Sequence, residues 1–162
     1  MQHTARHHLL HLVASLLAAN LLSGCGGGEA PLVVEPLAPH TFSVARQAWT
    51  SLALPAYRFT LATACFCITE SEIEVTVRDG KVSSAVYVDT RTSVSPERLL
   101  ALPTLTVLFD IGNDAYARHA AEVRFAPNAR YGFLESIYID YDVQMADEER
   151  GYQVSGFTVL TP

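Results

Sequence analysis

Hydrophobic and polar residues alternate most regularly between residues 73 and 88, where they predict a β-hairpin. Every second residue in the first half of this segment is apolar and β-branched, which is the period of a strand with one buried face. Asp79 and Gly80 then supply a two-residue link that suits a type I′ turn, because both positions require positive φ. The pattern and the turn together specify a register. The predicted pairs are Val77 with Val82, Val75 with Ser84 and Ile73 with Val86.

Four other segments show the same alternation and are predicted to be strands. In the first of them, Tyr57, Phe59 and Leu61 alternate with residues that are polar or small. The predicted strands cover residues 57–62, 123–125, 137–141 and 152–160.

Helical spacing of apolar residues and helix-start signatures predict the helices. A first helix is expected to pack Trp49 on a sheet and to stop before Pro55. Ser95 is a capping residue for a second helix, which Pro103 limits to a turn or two, and Thr104 starts a third. The apolar stripes are Phe42, Ala45, Trp49 and Leu52 in the first helix, and Leu105, Leu108, Phe109, Gly112, Tyr116 and Ala120 in the third.

This order of elements predicts the fold class. Strands that follow one another through short, hairpin-length connections form antiparallel sheets. We therefore expect an α+β fold, in which a mainly antiparallel sheet of about five to six strands carries two to three helices on one face. The whole of 42–162 is expected to be a single domain, long enough to bury its own core.

Residues 1–24 predict a lipoprotein signal peptide. They hold Arg6 but no acidic residue, and their apolar run from Leu9 to Leu22 is too short and interrupted for a comfortable membrane span. The stretch Leu22-Ser23-Gly24-Cys25 resembles the lipobox of bacterial lipoproteins, in which small residues precede a cysteine that is lipidated and becomes the new N-terminus. Cys25 is therefore the expected lipidation site, carrying acyl chains such as palmitate. The alternatives are an ordinary cleaved signal peptide and an N-terminal membrane anchor.

Residues 25–41 are expected to be the lipidated cysteine and a flexible tether rich in glycine and proline. Fully extended, the fifteen residues from Gly26 to His40 reach about 50 Å, at roughly 3.4 Å per residue. Gly26 rather than an aspartate follows Cys25, which by resemblance to enterobacterial sorting rules favours the outer membrane, facing the periplasm. The expected partners are the membrane, through the lipid anchor, and an envelope protein or a cell-wall component bound through the sheet face.

Charge and composition exclude several function classes. Without residues 1–24 the chain has ten basic and seventeen acidic residues, a formal net charge of −7. An acidic domain without a basic run argues against binding to nucleic acid or to anionic lipid. Only His40 and His119 remain, and neither G-x-S-x-G nor H-E-x-x-H occurs. We therefore expect no cofactor and no catalytic residue, and favour a binding or accessory module over an enzyme.

If Cys25 is lipidated, Cys65 and Cys67 are left as an even pair of thiols in an oxidising compartment, which favours a structural disulfide between them. In an ideal strand their Cα atoms lie about 6.6 Å apart, at the long edge of disulfide geometry, so the bond requires a bulge or turn at Phe66. Three alternatives stay open, namely two reduced core thiols, a redox-active pair and a soft-metal site. The last two correspond to an alternative function, a thiol redox or copper-handling accessory.

Five acidic residues gather between residues 140 and 149, and their expected role is a solvated surface. Carboxylates in this number could bind a calcium ion or supply a general acid and base. Their spacing fits no calcium-loop pattern, however. The residues are Asp140, Asp142, Asp147, Glu148 and Glu149.

Aromatic residues on the polar face of the sheet are a further candidate surface. Tyr87 and Tyr138 are expected on that face, and Tyr131 and Phe133 flank Gly132 in a turn. They could form a shallow recognition surface, but ordinary cross-strand pairing is favoured.

Six stretches of the chain together resemble the bacterial putative-lipoprotein family called domain of unknown function 6174. The resemblance covers roughly residues 47–160, and Phe133 stands where a proline is expected. It implies the fold and the envelope location, and leaves the biochemical function open. The stretches are a Trp-bearing helix, YRFTLATACFC, VRDGKV, LTVLFDI, RYGFLESIYIDYD and DEERGYQV.

Overall fold

In the part of the chain that the structure describes, six strands form one antiparallel sheet and three helices accompany it, which confirms the predicted α+β class. The computed structural model describes residues 39–64, 71–145 and 148–161. No helix in these ranges is long and apolar enough to cross a membrane. The helices are α1 (Pro39–Ser51), α2 (Pro96–Ala101) and α3 (Leu105–Ala117). The strands are β1 (Ala56–Ala64), β2 (Ile73–Arg78), β3 (Lys81–Tyr87), β4 (Glu122–Pro127), β5 (Leu134–Asp140) and β6 (Arg150–Val159).

The strand order β3-β2-β1-β6-β5-β4 divides the sheet into two halves. Strands β1 to β3 form one antiparallel meander and β4 to β6 form the other. The halves are joined by pairing of β1 with β6, in which Leu61 lies opposite Val154 and Thr63 opposite Tyr152. The sheet is therefore continuous only because the last strand returns to the middle.

One face of the sheet carries the apolar core, as the alternation predicts. Inward residues of β1, β2 and β5 are almost completely buried, while their neighbours along each strand are more exposed. The core residues on these strands are Tyr57, Phe59, Leu61, Ile73, Val75, Val77, Leu134, Ile137 and Ile139.

Helix α1 joins the two ends of this core through Phe42 and Trp49. The Phe42 ring makes edge-on contacts with Phe109 of α3 and Phe125 of β4, at centroid distances of 5.3 and 5.0 Å. Trp49 packs edge-on against Tyr57 of β1 at 5.1 Å, so the predicted contact of Trp49 with the sheet is confirmed.

The predicted register of the β2–β3 hairpin is correct at the turn and wrong beyond it. Asp79 and Gly80 have φ of 49° and 73°, as a type I′ turn requires. Val77 pairs with Val82, but a bulge at Ser83 shifts the remaining pairs by one residue. Val75 thus faces Ala85 and Ile73 faces Tyr87, instead of Ser84 and Val86. The bulge turns Ala85 and Tyr87 toward the core.

Both helix-start predictions are confirmed, and the predicted end of α3 is too late. The Ser95 hydroxyl accepts from the backbone N–H of Arg98, and that of Thr104 accepts from Val107, at 3.2 and 3.3 Å. The helix ends at Ala117 and not at Ala120, and His119 follows it with φ of 57°. A left-handed residue just past the last turn is a common helix terminator.

The turn between β4 and β5 lies directly on α1. The Asn128 side chain accepts from the backbone N–H groups of Arg130 and Tyr131, at 3.0 and 2.9 Å. Gly132 has φ of 79°, and a Cβ atom there would lie 2.8 Å from the Cβ of Ala48. The left-handed backbone and the close approach both require glycine at this position.

Replacing Gly132 by alanine is expected to destabilise the protein more than replacing Gly80. Both glycines have positive φ, which costs roughly 1–2 kcal/mol for alanine. A Cβ at Gly80 meets nothing within 4 Å, whereas one at Gly132 forces α1 away from the turn. We therefore expect Gly132→Ala to lose about 1–3 kcal/mol more than Gly80→Ala in urea unfolding. Equal losses for the two variants would show that the turn does not press on α1.

Tyr57 of β1 forms hydrogen bonds with residues at the start of α3, and its ionisation makes the protein less stable at alkaline pH. Burial raises the pKa of Tyr57 to about 12, while hydrogen bonds with the Leu105 backbone and the Thr104 side chain act in the opposite direction. The unfolded tyrosine ionises near pH 10, so stability is complete below about pH 10 and falls as pH rises toward about 12.

The expected loss in the free energy of unfolding between these pH values is roughly 2–3 kcal/mol from Tyr57, at about 1.36 kcal/mol per pKa unit. Urea unfolding at several pH values across this range measures the loss. The loss for Tyr57→Phe should be smaller than that of the wild-type chain by this amount. Equal losses in the two proteins would contradict the prediction.

Candidate functional site

A cleft of about 490 Å³ opens between the sheet and the α2–α3 segment. Its floor includes Leu61 and Tyr152, from the paired ends of β1 and β6. Its opposite wall includes Leu102, Val107 and Ile111. Clefts of roughly 300–1,000 Å³ with mainly apolar walls are typical of small-molecule sites.

The cleft exists because the helices cover the outer strands better than the central pair. Helix α3 packs against β5 and β4, and α2 packs against β3. Pro103 separates the two helices, and the caps at Ser95 and Thr104 start each of them independently. The space between α2, α3 and the ends of β1 and β6 is therefore left open.

Apolar side chains on the helical wall face solvent. Leu100 is 88% exposed and Val107 is 40% exposed, and α2 has no buried residue. Exposed apolar residues that line one concavity indicate a binding surface more strongly than scattered ones do. The sequence prediction missed this cleft. The available signal was an apolar Leu100 in a one-turn or two-turn helix, and Val107 off the buried stripe of α3.

The cleft is positively charged within an acidic protein. Among the described residues, Arg98 and Arg150 line it, and no aspartate or glutamate does. The whole chain has a formal net charge of −6. The Arg150 guanidinium makes no ion pair with any residue of the described ranges, whereas Arg46, for example, pairs with Asp110. The local field therefore favours an anion.

The predicted cysteine sites fall outside the described residues. Cys25, Cys65 and Cys67 all lie there, so the lipidation and the disulfide stay predictions. Ala64, which precedes Cys65 in the sequence, lines the cleft.

The predicted solvated role of the acidic stretch is wrong for Asp140. Asp140 is only 7% exposed, and its Oδ1 atom has no hydrogen-bond partner among the described residues. The strand β5 ends at Asp140, and Asp142 beyond it is exposed. Asp147 lies outside the described residues. Within the residues that the structure does describe, no three His, Cys, Asp or Glu side chains are grouped to hold a metal ion.

The predicted pair of tyrosines on the polar face of the sheet does not form. The Ser83 bulge packs Tyr87 against the core, so only Tyr138 occupies that face. Tyr138 lies under the Arg124 guanidinium, 4.4 Å from ring centroid to Cζ. Partial desolvation, followed by the charges of Asp140 and Glu149, raises the pKa of Tyr138.

The Tyr131–Phe133 turn contributes mainly to packing. Phe133 is 3% exposed and stacks with Tyr131 at a centroid distance of 6.4 Å. Phe133 also contacts Phe157 of β6 at 4.7 Å. Such pairs stabilise the fold beyond the apolar area that they bury.

Comparison with known proteins identifies a family. A family model described as "Family of unknown function (DUF6174)" matches residues 41–159, which is most of the chain. The chain therefore belongs to this family, and the predicted family resemblance is confirmed. No curated protein and no solved structure matches the chain.

The predicted Cys65–Cys67 disulfide is tested by alkylation of the domain without residues 1–25, which lacks Cys25, after its export to the periplasm. Without reductant, neither thiol is expected to take up the label, and intact mass should show two labels only after reduction. Cys65→Ser serves as the control, because it leaves Cys67 unpaired and open to one label. Two labels on the unreduced wild-type chain would contradict the disulfide.

Proposed function

We propose that this member of the DUF6174 family is a lipid-anchored protein of the bacterial cell envelope that binds a ligand in its cleft. The observation that carries the binding role is a cleft whose helical wall exposes Leu100 and Val107. In this proposal the protein is an accessory or binding module and not an enzyme, and it faces the periplasm from the outer membrane.

Anchoring is supported by the sequence ahead of the domain. Small residues precede Cys25 after an apolar run, and Gly26 follows it. In the sequence, thirteen residues lie between Cys25 and the start of α1 at Pro39. Two or more acyl chains on one cysteine hold a protein stably in a bilayer.

A binding role is supported by the chemistry of the cleft. The polar side chains that line it are Thr63, Arg98, Arg150 and Tyr152. Where the structure describes the lining, it contains no carboxylate and no imidazole, the groups that most often serve as general acid or base. The arginines can attract and hold an anion, and the apolar walls can take up an apolar body. This combination favours binding over proton-transfer chemistry.

A second candidate function uses Cys65 and Cys67 as a thiol redox pair or as copper ligands. One observation favours it, namely that Ala64, their neighbour in the sequence, lines the cleft. In this proposal the cleft would receive the thiol or metal substrate. A Cys65–Cys67 disulfide that resists mild reductants, together with no uptake of Cu(I), would exclude it.

Lipidation is tested by growing cells that express the full chain with an alkyne-labelled palmitate. The wild-type chain is expected to incorporate the label and to stay in the membrane fraction. Cys25→Ala should lose both properties, because the acceptor sulfur is removed. Cys65→Ala is the matched control and should keep both. Label in the Cys25→Ala chain, or none in the wild-type chain, would contradict the anchor.

A further inference from the structure

We propose that the cleft binds a long-chain fatty acid, with the acyl chain along Leu100 and Val107 and the carboxylate at Arg150. The proposal deepens the binding role proposed above and rests on it. It commits to a single acyl chain that ends in a carboxylate.

The apolar part of the ligand is indicated by the exposed wall. Leu100 projects into solvent from α2, and Val107 and Ile111 continue the apolar surface along α3. On the sheet side, Leu61 lies at the floor of the cleft but is only 2% exposed, so the helical wall supplies most of the apolar surface. A ligand without polar groups along its length can cover these side chains and leave no polar group unpaired.

The anionic end is indicated by the position of Arg150. In β6 this residue pairs with Ile139, a core residue, so it lies on the helix side of the sheet. Tyr152 lies two residues further along the same face. The guanidinium makes no ion pair with any other described residue, and its fork of donors matches a carboxylate.

The charge around the cleft discriminates against cationic ligands. The chain outside residues 1–24 has seventeen acidic and ten basic residues, yet the described residues that line the cleft include two arginines and no aspartate or glutamate. A fatty acid therefore meets an attractive field at the cleft and repulsion from most of the remaining surface.

The experiment measures displacement of dansylated undecanoic acid by palmitate and by methyl palmitate. The protein is the chain from residue 25 with Cys25→Ser, which carries no lipid and contains every core residue, from Phe42 to Val154. We expect palmitate to displace the probe at lower concentration than the uncharged methyl ester. Equal potency of the two ligands would overturn the role of Arg150 while leaving an apolar binding cleft in place.

Two pairs of variants assign the binding to the cleft. Arg150→Gln is expected to weaken palmitate about tenfold and to leave methyl palmitate unchanged, whereas Arg130→Gln, an exposed arginine outside the cleft, should change neither. Leu100→Ser should weaken both ligands, whereas Val143→Ser, which is 74% exposed elsewhere, should weaken neither. All four positions are exposed, and unchanged urea unfolding confirms that each variant folds.

The remaining outcomes separate this inference from the proposed function. If palmitate displaces the probe from Arg150→Gln at the same concentration as from the wild-type protein, Arg150 does not bind the carboxylate and the inference is overturned. Preference for hexadecyl phosphate over palmitate overturns the choice of a carboxylate. Binding of neither probe nor palmitate, with palmitate labelling of Cys25 intact, overturns the fatty-acid inference and leaves the anchor standing. Displacement of the probe only by apolar peptides points to a protein partner and overturns the inference as well.

Discussion

The packing of α1 on both halves of the sheet is the contact on which the rest of the structure depends. Phe42 contacts α3 and β4, and Trp49 contacts β1, at opposite ends of a single helix. The Trp49 indole N–H also donates to the Thr106 hydroxyl at 3.0 Å, which positions the first turn of α3. Space for these rings comes from small residues opposite them, since a Cβ at Gly112 would overlap the Phe42 ring. The placement of α3, and hence of one wall of the cleft, follows from α1.

The cleft is the part of the helical layer that this arrangement leaves uncovered. Pro103 and the two capping residues, Ser95 and Thr104, divide this segment into two separate helices. The break between α2 and α3 forms part of the wall of the cleft. Leu100 and Val107 gain little stability from their positions, because both remain exposed. Their exposure is the observation on which the proposed binding role rests.

Much of the fold could be predicted because its signals are local. Alternation along β1 and β2, the Asp79-Gly80 turn and the caps at Ser95 and Thr104 each depend on residues a few positions apart. The β3 register could not be predicted in the same way. Its two alternating sets, Val82-Ser84-Val86 and Ser83-Ala85-Tyr87, both contain apolar residues, so local pattern does not choose between them.

The burial of Asp140 and the cleft could not be predicted from nearby residues, because both depend on contacts between distant parts of the sequence. Alternation assigns Asp140 to the face opposite Ile139, but the solvent exposure of that face depends on neighbours that are distant in the sequence. The cleft likewise combines β1, β6 and the α2–α3 connection, which are separated by tens of residues. The residue types were visible in the sequence, but their grouping required the tertiary structure.

The position of β6 between β1 and β5 also sets the order in which the sheet can form. Strands β1 to β3 can pair as soon as they are made, whereas the contact of β1 with β6 closes a loop of about a hundred residues. Such distant pairing slows folding and leaves the facing edges of β1 and β5 bare until Val159 has been synthesised.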